Sequence, residues 1–169
     1  MNLDKKQNSK RWITADWHLG ETRLDILMRP LKDQKDHVNE IISRHNSLVK
    51  EDDLVIVVGD IINKNYPDFL SCVKEFVGKK VLIRGNHDRL LTDEQLSDYF
   101  DFIVPEGDGI ELVVGKLNIP CWATHYPSKA RVDKFNLVGH IHSAWKFQLN
   151  SVNVGVDCNH FYPHDLDEF

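Results

Sequence analysis

The segment Asp52–Asp60, "DDLVIVVGD", decides the fold of this 169-residue chain. Its apolar centre is continuous rather than alternating, which is typical of a strand that is covered on both faces. Gly59 and Asp60 follow at once, so the strand ends in a turn that carries a carboxylate. The pattern predicts a central strand of an α/β sheet with a polar group at its C-terminal end.

Apolar runs and helical patterns alternate on both sides of this segment. Strands are predicted within "RWITADWH" (11–18) and "KKVLIRGNHD" (79–88), and helices over Asp33–Lys50, Pro67–Val77 and Thr92–Phe100. From residue 101 onward, short strand-like runs are separated by Gly, Pro, Asn and Ser turns. We therefore expect a single α/β domain with mixed sheets over residues 1–169.

Composition is ordinary for a globular protein, with 41% hydrophobic and 28% charged residues. The formal charge of -5 disfavours a protein that binds duplex nucleic acid mainly through its phosphates. Three widely spaced cysteines without a C-x-x-C pair favour reduced thiols.

The start, "MNLDKKQNSKRW", lacks an apolar signal core, and the longest apolar run, "LVIVVG", is too short to span a bilayer. We expect a cytoplasmic protein with no membrane partner.

Polar clusters follow the predicted strands at their C-terminal ends, where the ligand sites of open α/β sheets form. Their residue types are carboxylate, imidazole and amide, which suit hard to borderline metal ions. The candidates are Asp16, His18, Asp60, Asn86, His87, Asp88, His125, His140 and His142.

Two spacings sharpen this prediction. Asp16 and His18, like His140 and His142, are i, i+2 pairs, which project to one side of an extended backbone. Without His87 and Asp88, the list leaves seven candidate ligands, which exceed the needs of one tetrahedral ion but suit two ions about 3.5–4 Å apart. Asp60, alone at the end of the central strand, is the natural bridging carboxylate.

The order D-x-H, GD, GNHD, a later His before a turn, and G-H-x-H resembles the calcineurin-like metallophosphoesterase superfamily. The match runs from Asp16 to His142, and the length is similar to that of small bacterial and phage members without a cap domain. The resemblance implies a four-layer α/β/β/α sandwich with its site at one edge. It also implies a metal-dependent phosphoric ester hydrolase.

By position, the resemblance implies a first metal on Asp16, His18, Asp60 and His142. A second metal would be held by Asp60, Asn86, His125 and His140, so that Asp60 bridges the two. A metal-bridging hydroxide would attack phosphorus, and His87 would protonate or hydrogen-bond the leaving oxygen. Manganese is expected first, with Fe, Zn or Ni as alternatives.

One position departs from the protein-phosphatase branch, which has an Asp three residues after the bridging carboxylate as a partner for the GNH histidine. Here "GDIINKN" places Asn63 there, and an amide cannot stabilise an imidazolium as a carboxylate does. This argues against a Ser/Thr protein phosphatase and slightly favours diester hydrolysis.

Other polar and aromatic residues have competing interpretations. Asp88 either orients its loop or caps the next segment, and Arg84 forms a strand-edge salt bridge rather than a phosphate contact. Trp17 shapes the cleft wall or packs in the core. The remaining expectations are a packed His45, core positions for Trp122 and Trp145, and solvated His160 and His164.

The sequence thus predicts a dinuclear phosphoesterase acting on a small phosphoester or nucleotide-like substrate. A nuclease or nucleic-acid end-processing phosphatase is the alternative within enzymes, and nucleic acid is the less favoured partner. A non-catalytic scaffold of the same fold is the alternative of another class. The oligomeric state is left open.

Overall fold

The computed structural model describes residues 9–169, and its regular elements follow the apolar runs closely. The helices are α1 (Gln34–Leu48) and α2 (Asp93–Ser97). The strands are β1 (Arg11–Thr14), β2 (Leu54–Val57), β3 (Lys79–Ile83), β4 (Phe102–Val104), β5 (Gly109–Val114), β6 (Ile119–Thr124), β7 (Phe135–Val138), β8 (Phe147–Gln148), β9 (Ser151–Asn153) and β10 (His164–Asp165).

The first sheet has the order β10-β1-β2-β3-β4. Strands β1 to β4 are parallel, and β10 pairs antiparallel with β1. The register sets Thr14 opposite Val57, and Val57 opposite Leu82, so the three strands end level with one another. The segments after β1, β2 and β3 therefore leave the sheet at one edge.

The second sheet has the order β5-β6-β7-β9-β8. Its central pairs, β6 with β7 and β7 with β9, are parallel, whereas the outer pairs are antiparallel. The two mixed sheets confirm the predicted α/β class.

Each central strand of the first sheet contributes to two cores. Val55 and Val57 face a core shared with α1, whereas Ile56 and Val58 face the second sheet. Burial on both faces explains why Asp52–Asp60 is continuously apolar and not alternating.

One position on the outer face of the second sheet, Trp122, is covered by a residue of the loop after β6. Trp122 points to this face, since its neighbours Cys121 and Ala123 belong to the core between the sheets. The guanidinium carbon of Arg131 lies 3.5 Å from the centroid of the Trp122 ring. The helical content of the loop is one 3-10 turn, Pro127–Lys129.

Two tryptophan predictions are wrong. Trp122 and Trp145 are only partly buried, and neither belongs to the core clusters. Trp122 lies on the outward face of an edge-proximal strand, where a cation covers it. Sequence cannot distinguish a packed tryptophan from one that a surface arginine shields.

The helical predictions are confirmed with shorter bounds. Asp33 caps α1 by accepting the N–H of Asp36. Thr92 caps α2, and Gln95 completes a capping box. The segment predicted as a helix over Pro67–Val77 is a 3-10 helix, Pro67–Glu75.

Core residues next to the site also follow the predictions in part. His45 is buried and donates from Nε2 to the carbonyl of Val77 at 2.8 Å. Trp17 is buried and stacks on Phe76, with ring centroids 4.0 Å apart, which supports its packing interpretation. Leu48, the last residue of α1, is exposed.

No helix within residues 9–169 is both long and apolar enough to cross a membrane. The prediction that the first segment lacks an apolar signal core falls mainly on residues 1–8, outside the described residues.

Gly59 is where β2 turns into the edge of the sheet that carries Asp16, Asp60 and Asn86, here called the polar edge. Its φ is +80°, and a Cβ there would meet Nδ1 of His125 and lie 2.7 Å from the nitrogen of Gly85. A left-handed backbone and two close neighbours therefore both require glycine.

We expect Gly59→Ala to lower the free energy of unfolding by about 3 kcal/mol, because it adds overpacking to backbone strain. Gly107→Ala is the matched control, since its φ is +85° and nothing lies within 4 Å of its Cβ. That variant should lose only about 1 kcal/mol in urea unfolding. Equal losses would show that the contacts of Gly59 do not matter.

Candidate metal centre

The carboxylate of Asp60 lies at the centre of the polar edge. Its Oδ1 accepts the backbone N–H of His87 at 2.8 Å. Its Oδ2 lies 3.5 Å from Nε2 of His18 and 3.5 Å from Nε2 of His125. A single carboxylate oxygen thus faces two histidines.

His125 presents an acceptor nitrogen to this oxygen. Its Nδ1 lies 2.8 Å from the carbonyl of Val58, which can only accept, so Nδ1 carries the proton. Nε2 then faces Oδ1 of Asn86 at 3.3 Å and Oδ2 of Asp60. Three acceptors converge there, and they need a cation between them.

The ring of His18 also faces Asp60 without a hydrogen-bond partner. It is buried, and neither of its ring nitrogens has a hydrogen-bond partner among residues 9–169. Its ring lies 4.5 Å from that of His87 and 4.9 Å from that of His142, measured between centroids. Buried polar nitrogens without partners are costly, and a metal ion would satisfy Nε2.

The structure brings all the predicted site residues together. Two groups of three have ligand atoms within 4.8 Å of one another: one is His18, Asp60 and His87, and the other is Asp60, His125 and His140. The groups share Asp60. His142 adjoins the first group through His18.

Asp16 lies behind these groups. Both of its carboxylate oxygens accept the backbone N–H of His140, at 3.0 and 2.9 Å. Glycines leave room for it, because a Cβ at Gly139 or Gly155 would come within 2.9 Å of Oδ2. Asp16 therefore connects the D-x-H turn to the G-H-x-H turn.

Five of the predicted site residues share an uncommon backbone conformation. Each follows the end of a strand, where a left-handed residue turns the chain sharply into the cleft. Such residues cost about 1–2 kcal/mol each, and clusters of them accompany functional sites. The φ angles are 60° at Asp16, 47° at His18, 55° at Asp60, 76° at His140 and 49° at His142.

Burial and the neighbouring charges shift the pKa values of the carboxyl groups in opposite directions. Burial raises the pKa of Asp16 to about 7, against the lowering effect of the His125 charge. Burial would also raise the pKa of Asp60, but the hydrogen bond and charge of His125 and the charge of His18 hold it below its usual range. Asp60 is thus the carboxylate that stays ionised.

Asp88 ties two loops together. Its Oδ2 accepts the N–H groups of Asp60 and Gly85, at 2.9 and 2.8 Å, and its Oδ1 accepts that of Ile61 at 3.0 Å. It thereby orients the turn that carries Asp60, which supports the first of its two predicted interpretations. Arg84 pairs with Asp93 at 2.6 Å, as the salt-bridge interpretation predicts.

Sequence reasoning missed several buried residues around the site. Asp157 accepts from Nδ1 of His142 at 2.8 Å, and it is paired with Arg29. Glu21 accepts from the amide of Asn63 at 2.8 Å. Asp157 follows the apolar run "VNVGV", so the strand-end pattern could have found it; Arg29 and Glu21 carry no such signal.

The described donors fit divalent cations. The polar edge collects imidazole nitrogens and carboxylate and amide oxygens around Asp60, and the acceptors facing it outnumber the donors. This is the donor set of Mn, Fe, Zn or Ni sites.

In the metal-free protein, a proton takes the place of the cation. Burial would lower the pKa of His125, but its hydrogen bond to Asp60 and the charges of Asp16 and Asp60 raise it to about 9. The folded state therefore binds this proton more tightly than an unfolded chain, in which the pKa is near its ordinary value of 6.5. The resulting stability is fully present below pH 6.5 and is lost as the pH rises through 9.

We expect the metal-free protein to lose about 2 kcal/mol of unfolding free energy through this group between pH 6.5 and 9. The measurement is urea unfolding in EDTA of wild type and His125→Gln. The difference between the two should shrink as the pH rises. Exposed His160→Gln is the control and should follow wild type; a His125→Gln curve parallel to wild type would contradict the assignment.

Comparisons with known proteins identify the family of this chain. The family model for calcineurin-like phosphoesterases matches residues 9–161. The Gene 66 protein of Mycobacterium phage L5 is 34% identical over 83 residues, which are 47% of this chain and 40% of that protein. The chain therefore aligns with less than half the length of that relative.

Two further relatives cover nearly the whole chain. The uncharacterized protein MJ1445 of Methanocaldococcus jannaschii is 24% identical over 164 residues, 94% of this chain and 88% of that one. The crystal structure of the protein of unknown function AQ665 from Aquifex aeolicus has a TM-score of 0.68 at 20% identity. It covers 94% of this chain and 96% of its own, and it shows the shared fold.

With the strand-end site and the match over residues 9–161 taken together, the chain belongs to the calcineurin-like phosphoesterase family.

Proposed function

We propose that the protein is a dinuclear metal-dependent phosphoesterase that hydrolyses a small phosphodiester or phosphomonoester. The observation that carries the proposal is the position of Asp60, whose Oδ2 lies 3.5 Å from Nε2 of both His18 and His125. Family membership supports metal-dependent phosphoester hydrolysis in general.

The residues divide into two sets around Asp60. Asp16, His18, Asp60 and His142 would hold one ion. Asp60, Asn86, His125 and His140 would hold the other. When bound, two divalent cations supply Lewis acidity, which neutralises phosphoryl oxygens and makes deprotonated water available near neutral pH.

His87 lies beside the ligands and remains partly exposed. Its Nδ1 has no hydrogen-bond partner among residues 9–169. Burial lowers its pKa, opposed by the Asp60 charge and reinforced by that of Lys64. A neutral His87 would donate a hydrogen bond to the leaving oxygen of the substrate rather than transfer a proton from an imidazolium.

Asn63 does not provide the missing carboxylate. Its amide donates to Glu21, and its Oδ1 accepts the N–H of Asn65 at 2.9 Å. This supports a role for His87 as a hydrogen-bond donor, and it supports a diesterase over a Ser/Thr protein phosphatase.

The net charge of -5 favours a small substrate over a long polynucleotide. Manganese is the first ion to test. Rates on an aryl diester, an aryl monoester and a short oligonucleotide, compared in one buffer, would rank the diesterase, monoesterase and nuclease activities.

The metal-free protein should hydrolyse bis(p-nitrophenyl) phosphate only after Mn²⁺ or Ni²⁺ is restored. Asp60→Asn should lower kcat by about 10³-fold, because the carboxylate shared by both proposed ligand sets loses its charge, and it should also lower the bound metal measured by mass spectrometry. Asp98, which is exposed just after α2, supplies the control: Asp98→Asn should behave as wild type. An inactive wild type with metals bound would instead favour the scaffold hypothesis.

His87→Gln should keep both metals and lose about 10²-fold or more in kcat for an alkyl leaving group, with a smaller loss for p-nitrophenolate. The reason is that a poor leaving oxygen depends most on a hydrogen-bond donor. Steady-state rates across a series of leaving groups make the measurement. A uniform loss accompanied by lower metal content would make His87 a ligand instead.

A further inference from the structure

Arg29 is a buried arginine next to the site, and its guanidinium is fully hydrogen-bonded. It is 3% exposed although it lies in the loop between β1 and α1. Its guanidinium reaches three parts of the chain, and all five of its N–H groups have acceptors. The acceptors are the carbonyls of Asp16 (2.7 Å) and Trp17 (2.9 Å), both carboxylate oxygens of Asp157 (2.7 and 3.0 Å), and Nε2 of His37 (2.5 Å).

Two of these contacts fix the D-x-H turn. The carbonyls of Asp16 and Trp17 belong to the two peptide bonds between Asp16 and His18, and both Asp16 and His18 have left-handed backbone. Such a turn is held only where its surroundings determine it. Arg29 thus holds the backbone that presents two predicted ligands.

The other end of the network acts on His142. Asp157 holds Arg29 with two oxygens and also accepts from Nδ1 of His142 at 2.8 Å. A carboxylate can only accept, so Nδ1 of His142 carries the proton and Nε2 is left with a lone pair. Carboxylates that hold a metal-binding histidine in this way fix both its tautomer and its ring orientation.

We propose that Arg29 and Asp157 form a positioning pair for the first metal, the one assigned to Asp16, His18, Asp60 and His142. This inference rests on the proposed function. Neither residue is a ligand. Together they hold the D-x-H turn and the His142 ring in the geometry that the ion requires.

The pair acts on one side of the centre. The imidazole rings of the second set are oriented by other groups, since Nδ1 of His125 donates to the carbonyl of Val58, and the ring of Tyr126 packs against His125 and His140 at 4.9 Å from each. Loss of the Arg29–Asp157 pair should therefore weaken one metal site and spare the other.

The test is a Mn²⁺ titration of metal-free protein by calorimetry, with stoichiometry checked by mass spectrometry. Asp157→Asn should weaken one of two sites by about 10- to 100-fold and leave the other unchanged. Asp167→Asn is the matched control, because it breaks an arginine–aspartate pair with Arg11 on the opposite end of β1, and it should keep both sites. Two unchanged sites in Asp157→Asn, or equal weakening of both, would overturn the proposal.

A buried arginine without its partner can unfold the protein. If Asp157→Asn does not fold, the double variant Arg29→Met/Asp157→Leu removes both charges and should fold with the same selective loss. An unweakened first site in the double variant would overturn the proposal as well.

Wild-type protein provides a readout that needs no variant. In ¹⁵N-histidine NMR spectra of the metal-free protein at pH 8.5, His142 should be protonated at Nδ1 and bare at Nε2. The opposite tautomer would refute the inference. If wild type binds no metal at all while His142 has the Nδ1–H tautomer, the proposed function fails and not the pairing.

Discussion

At the end of β2, one carboxylate oxygen of Asp60 lies 3.5 Å from the Nε2 atoms of two buried histidines. The neighbouring structure holds it there. The backbone N–H of His87 takes the other oxygen, and Asp88 holds the N–H of Asp60 itself. His18 and His125 reach it from different sheets, so the two sheets must pack in one register for the cleft to exist. The packing of the two sheets that stabilises the sandwich therefore also sets the geometry of the site.

Much of this arrangement could be read from the sequence, because it depends on local rules. A doubly buried parallel strand is continuously apolar, and the polar residues that follow it leave the sheet at the C-terminal edge. The stretches "DDLVIVVGD" and "VLIRGNHD" each show an apolar strand followed by polar residues within ten positions. The caps at Asp33 and Thr92 are equally local, and so were predictable.

What could not be read depends on contacts between distant residues. Arg29 and Asp157 are 128 positions apart in the sequence, and no local pattern around Arg29 indicates that it has a buried partner. Trp122 lies under Arg131 because the loop between β6 and β7 passes over its ring. Hydrophobic periodicity in the sequence does not predict the path of such a loop. Asn63 was visible as a departure from the protein-phosphatase pattern, but its partner Glu21 became evident only with the fold.

The left-handed turns at Asp16, His18, Asp60, His140 and His142 have a consequence for how such a site changes in evolution. Aspartate, asparagine and histidine tolerate that backbone several-fold better than other side chains do, and they also bind these metals. The backbone conformation and the binding of metal therefore favour the same few residue types. In a lineage that abandoned catalysis, this backbone would still favour Asp, Asn and His alongside Gly, so an intact ligand set is weaker evidence of activity than the residue types alone suggest.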